Sequence, residues 1–136
     1  MSRSSYKGPF IDEKLMKRLN QRTIAFEKNI AEIDSLRFGF SSKEKGTVIF
    51  YRNGLVEKYP FVMSTNAYAL GLDPTSQLPV ALQANCKSSD EFILNFNQLC
   101  RINNFYFHFV IHGNNITTTM RETSNLININ ISSSFK

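Results

Sequence analysis

The sequence predicts an α+β fold. A small domain over residues 1–79 would pack a basic N-terminal arm and helix on an antiparallel β-hairpin sheet, and a helix-and-strands extension would follow over residues 80–136. Three observations carry that reading. Asp12 stands just before Leu15, Met16 and Leu19, a helix cap followed by an apolar stripe at helical spacing. Asn53-Gly54 lies between two β-rich runs, and both residues tolerate the positive φ that a two-residue hairpin loop demands. Ile127-Asn128-Ile129-Asn130-Ile131 alternates apolar and polar side chains, the pattern of a half-buried strand.

The elements follow in chain order. Residues 1–10 form a basic, Ser-rich arm punctuated by Gly8-Pro9, with no regular structure. The first helix is expected over 12–22, and a second over 24–35 with Ile24, Ile30 and Ile33 inward. Thr47 to Tyr51 reads as a strand and Leu55 to Met63 as its return, with Pro60 marking an edge or an irregularity because it has no N–H to donate. Ala67 to Gly71 reads as one helical turn ended by glycine, and Asp73-Pro74 breaks the chain. Ser88-Ser89-Asp90-Glu91 resembles a helix start. A helix over 89–102 would place Phe92, Phe96, Leu99 and Cys100 on one face. Phe105 to Ile111 is a strand, Gly113-Asn114-Asn115 turns the chain, Ile116 to Met120 returns it, and the serines at 132–134 are expected to be loose.

Charge is unevenly placed. Residues 1–60 carry twelve Lys/Arg and seven Asp/Glu, while residues 61–136 carry four of each, so the whole excess of +5 lies in the first half. That half is expected to face a polyanion. Two cysteines make no disulfide framework, no apolar run resembles a secretory signal, and no stretch nears the ~18 apolar residues of a spanning helix, so no membrane partner is expected. The Asn-, Ile- and Phe-rich second half is consistent with an AT-rich, organellar coding sequence.

Arg3-Ser4-Ser5-Tyr6-Lys7-Gly8-Pro9-Phe10, with Asp12 and the basic helix after it, resembles the opening of the bacterial and organellar small-subunit ribosomal protein nineteen family. Gly46 to Gly54 resembles that family's Gly-to-Asn-Gly hairpin, Pro60-Phe61-Val62 its return strand, and Leu70-Gly71 with Pro74-Thr75 its closing segment. The likeness covers about residues 1–76. It departs at Tyr68-Ala69, where the family has His-Lys, at Ser76 in place of a closing Arg, and in a neutral extension where the family has a short basic tail. The resemblance implies a structural constituent of the small ribosomal subunit, placed in a mitochondrial ribosome and organelle-encoded. It implies contacts with small-subunit ribosomal RNA, neighbouring head proteins, bridge elements of the large subunit and the region of the A-site transfer RNA. A free-standing RNA-binding module or ribosome assembly factor is the alternative.

On this reading the RNA-binding residues are Arg3, Lys7, Gly8, Lys14, Lys17, Arg18 and Arg22 in the arm and helix, with Arg52, Asn53, Gly54 and Lys58 around the hairpin tip. No enzyme is expected, because no nucleophile, base and orienting group recur in a recognisable pattern. No cofactor or metal is assigned. Cys86, Cys100, His108 and His112 lack the close cysteine pair of a zinc finger, and the cysteines read better as buried free thiols. Phe105-Tyr106-Phe107 with Phe109 resembles a base-stacking platform, but no basic residue lies between Arg101 and Arg121, so these rings are assigned to packing.

Overall fold

The computed structural model describes residues 11–99, 104–123 and 127–136. The arm carrying Arg3, Lys7 and Gly8 lies outside the described residues, as does Cys100. Among the described residues one helix, α1 (Glu13–Leu19), precedes ten strands: β1 (Thr23–Phe26), β2 (Ile33–Phe40), β3 (Lys45–Arg52), β4 (Leu55–Met63), β5 (Ala69–Leu72), β6 (Pro79–Cys86), β7 (Glu91–Gln98), β8 (Asn104–His112), β9 (Asn115–Glu122) and β10 (Asn128–Phe135). The α+β expectation is therefore corrected to a mostly β architecture.

Strands β1 to β4 form an antiparallel meander, as do β5 to β10. β1 then pairs with β10 at Ile24↔Phe135, and β4 meets β6 in parallel at Val62↔Gln83 and Met63↔Ala84. Those two junctions close nine strands into a barrel, with β5 lying along the edge of β6. The one sheet thus includes strands from both 1–79 and 80–136.

Alternation explains the closure. Val48 and Phe50 on β3, Tyr59, Phe61 and Met63 on β4, Phe92, Leu94 and Phe96 on β7, and Phe107, Phe109 and Ile111 on β8 all point inward at period two. Phe38 of β2 meets rings from the far wall. Its centroid lies 4.9 Å from Phe92, 5.6 Å from Phe109 and 5.9 Å from Phe61, all edge-to-face. The barrel is therefore filled across its middle. Gly46 makes room for this packing: a Cβ there would come within 2.3 Å of the Gly39 carbonyl oxygen and 2.9 Å of the Phe61 ring.

The lower end is plugged by α1. Asp12 caps it, its carboxylate accepting from Leu15 N–H at 3.1 Å, and Leu15 and Leu19 are fully buried. Seven residues cannot hold a helix alone in water, so tertiary fastening decides. Glu13 pairs with Lys43 of the β2–β3 turn, and Arg18 bonds Asp90 and the Ser89 carbonyl in the β6–β7 turn. The hydrogen bond and charge of Lys43 hold the Glu13 carboxyl below its ordinary range.

Two predicted helices are strands. Phe92 and Phe96 are four apart, a spacing that both periods satisfy, and Leu94 decides for the strand because it too is buried. The predicted helix over 24–35 is instead β1, a turn and the start of β2: Asn29 ties the turn through its amide to the Glu27 and Ile33 carbonyls, Glu32 has φ +58°, and Ile30 is exposed. The helical turn at 67–71 gives way to β5, and the serines read as loose lie in β10, where the Ser133 hydroxyl donates to the Ile116 carbonyl at 2.8 Å. The Asn53-Gly54 hairpin stands as expected, with φ +50° and +79°.

Gly46→Ala is expected to cost about 1–3 kcal/mol, the usual range for overpacking. Urea unfolding would check it, with Thr47→Ala, on the outer face, as the reference substitution.

Candidate ligand site at the barrel mouth

Among the described residues, the predicted RNA-binding positions fall into separate groups. Lys14, Lys17, Arg18 and Arg22 lie at the lower end in or beside α1, whereas Arg52, Asn53 and Gly54 form the β3–β4 tip at the upper end. An eight-residue strand at ~3.3 Å per residue separates the two groups by roughly 25 Å. Lys58 points outward midway along β4, opposite Ile49. Arg18 is tied to Asp90 and Arg52 to Glu57, and the Arg22 guanidinium sits 3.9 Å over the Phe135 ring.

The structure assembles a different site. Above the Phe38 cluster the barrel opens into a cavity of about 90 Å³. Its floor is aromatic: Phe50 lies 6.0 Å from Tyr59 and 5.7 Å from Phe107, and Tyr59 lies 4.9 Å from Phe96. One wall is polar. Glu57, with its side chain 7% exposed, accepts from Arg52 at 2.8 Å, and its other oxygen lies 3.4 Å from the Tyr59 hydroxyl. The guanidinium is half in solvent, so this ion pair neutralises a buried carboxylate more than it adds stability.

Asp73 completes the wall, and Pro60 explains how it arrives. The N–H groups of β4 alternate in direction: Met63 N–H reaches Glu44 on the β3 side, and Ser64 N–H reaches Ala84 on the β6 side. Pro60 therefore lacks its donor on the β6 side, and the β4–β6 ladder spans only two residue pairs. β5 occupies the widened seam, with Gly71 set so closely that a Cβ would meet the Pro60 ring at 2.8 Å. The turn after β5 delivers Asp73, whose carboxylate accepts from Thr75 and Ser76 N–H at 2.8 and 3.0 Å.

Electrostatics at the mouth are consistent with this placement. Burial, then the charges of Glu57 and Asp73, push the Tyr59 hydroxyl far above its ordinary value of 10.0. The hydrogen bond to Glu57 raises Arg52. With Arg52, Glu57 and Asp73 as its charged groups, the described lining carries a net charge of −1. Among the described residues no cluster of three or more His, Cys, Asp or Glu could hold a metal ion. His108 lies 2.8 Å from Glu91, and Cys86 is half-buried.

No family model matches the sequence, and no curated protein matches it at a significant level. Among solved structures the chain is similar to the crystal structure of secretory abundant heat soluble protein 4 from Ramazzottius varieornatus, at a TM-score of 0.53 and 11% identity, over 98% of this chain and 83% of that one. At that identity the likeness speaks for the barrel fold alone. It overturns the resemblance to ribosomal protein nineteen and the ribosomal assignment drawn from it. The resemblance rested on turn chemistry: Asn-Gly serves any tight hairpin, and Lys7-Gly8-Pro9-Phe10 lies outside the described residues.

The raised Tyr59 value has a consequence for stability. The unfolded chain ionises this tyrosine near 10, while the folded one keeps it neutral, so its contribution is whole below that pH and is lost as the pH rises beyond it. Tyr59→Phe should flatten that part of the alkaline decline in urea-unfolding free energy, measured from about pH 8 to pH 11.

Proposed function

We propose that this chain is a non-catalytic binding module whose barrel mouth takes a methylated ammonium group. The observation that carries the reading is an aromatic floor beneath a buried carboxylate in a small cavity of net negative charge. Aromatic faces attract cations through their quadrupole, and the attraction grows when the site is desolvated.

Size favours the same ligand class. Drug-sized ligands occupy pockets of about 300–1,000 Å³, and a dry cavity of about 150 Å³ is what benzene needs. The mouth, at about 90 Å³, suits a guest of four or five heavy atoms, with any remainder of the ligand outside in solvent. A fatty chain has no room, because Phe38 and its partners occupy the space below.

NMR titration with tetramethylammonium and choline should give saturable shifts at Phe96, Phe107 and Glu57. The neutral isostere 3,3-dimethylbutan-1-ol should bind more weakly. Phe96→Leu should lower choline affinity by about two- to thirty-fold, the worth of one cation–π contact, and Glu57→Gln should lower it as well. Equal binding of choline and its neutral isostere would sink the proposal.

A further inference from the structure

A second site lies outside the barrel, on the outer face of β7, β8 and β9. Tyr106 has no Lys or Arg near it in sequence, but the fold supplies one. The β8–β9 register sets Arg121 directly opposite Tyr106, and its guanidinium lies 4.7 Å from the ring centroid. On the other side, β7 places Asn95 opposite Tyr106 and Asn97 opposite Asn104.

These residues line a groove of about 270 Å³, with Tyr68 and Thr123 at its margins. Asn95 donates to the Gln83 side chain at 3.3 Å, and Gln83 donates to the Ala67 carbonyl at 3.0 Å, which fixes the amide and leaves its oxygen to accept. Arg121 is the charged group of the described lining, and no carboxylate joins it there. Glu91, an acidic side chain on this face, is engaged by His108, which neighbours Tyr106 on the same face of β8.

A guanidinium stacked on an aromatic ring, flanked by amides that both donate and accept, has the chemistry to read a planar heterocycle bearing an anion. We propose that this groove binds a nucleobase together with its phosphate, the base lying against the Tyr106–Arg121 pair with its edge toward Asn97 and Asn104. Such a unit could be a free nucleotide or one step of a single strand, and the test separates the two. The site stands apart from the mouth and does not depend on it.

The isotope-labelled chain would be titrated with AMP, adenosine, inorganic phosphate and a short oligoadenylate, with melting curves recorded for each variant. AMP should produce saturable shifts at Asn97, Asn104, Tyr106 and Arg121. Arg121→Gln should weaken AMP about tenfold or more, as the loss of a charged hydrogen bond does, and should weaken adenosine much less. Tyr106→Leu should weaken both, and Asn97→Ala supplies an independent variant should the leucine disturb folding. Oligoadenylate affinity well above that of AMP, falling steeply with salt, identifies a strand, and comparable affinities identify a free nucleotide. Failure of AMP and the strand alike to saturate at millimolar concentration overturns the proposal, and so does binding that these well-folded variants leave unchanged.

Discussion

The contact of Phe38 with Phe61, Phe92 and Phe109 governs the rest of the molecule, because it joins β2 to three strands on other parts of the wall. A barrel of nine strands is slightly wider than the eight-stranded size whose interior side chains just fill. Phenylalanine makes up the difference. The rings cross the lumen, bring the walls into contact and remove the space that would serve a large ligand. What remains accessible is the mouth above Phe50 and Phe96, the outer surface, and a lower end that α1 closes with Leu15 and Leu19.

Polarity at the mouth follows from a gap in the hydrogen-bond ladder. Pro60 withholds one donor on the closing edge of β4, β5 fills the widened seam, and the turn after it brings Asp73 over the lumen. A carboxylate that would be costly in the middle of the barrel is supported here by the backbone of its own turn, while Arg52 holds the neighbouring Glu57. One imino acid in β4 thus connects the topology of closure to the electrostatics of the cavity.

Part of this was legible in the sequence. Asn53-Gly54 named its hairpin because both residues tolerate the positive φ that the turn demands, and Asp12 named the cap of α1. The strands over 105–111, 116–120 and 127–131 were readable from alternation and from Gly113. Residues 89–102 misled because Phe92 and Phe96 satisfy both periods, and β1 misled because a four-residue strand between two neighbours has too short a pattern to read. Neither site was legible. Glu57 meets Arg52 only across a hairpin, Asp73 arrives through a seam, and Arg121 reaches Tyr106 only once β8 and β9 are in register. Pairing, not spacing, brings those groups together.

The junction of β10 with β1 places the latest residues of the barrel against the earliest. Ser133, Ser134 and Phe135 pair with Phe26, Ala25 and Ile24, and Lys136 N–H reaches the Thr23 carbonyl. During synthesis, nine strands must therefore wait with two open edges until the tenth has left the ribosome. Unpaired strand edges are templates for intermolecular pairing. The hairpins can form locally and early, but circular closure is a single late event of large sequence separation. A nascent chain interrupted before Ser133 would keep its β1 edge bare, which makes the elongating polypeptide, more than the finished barrel, the form exposed to intermolecular pairing.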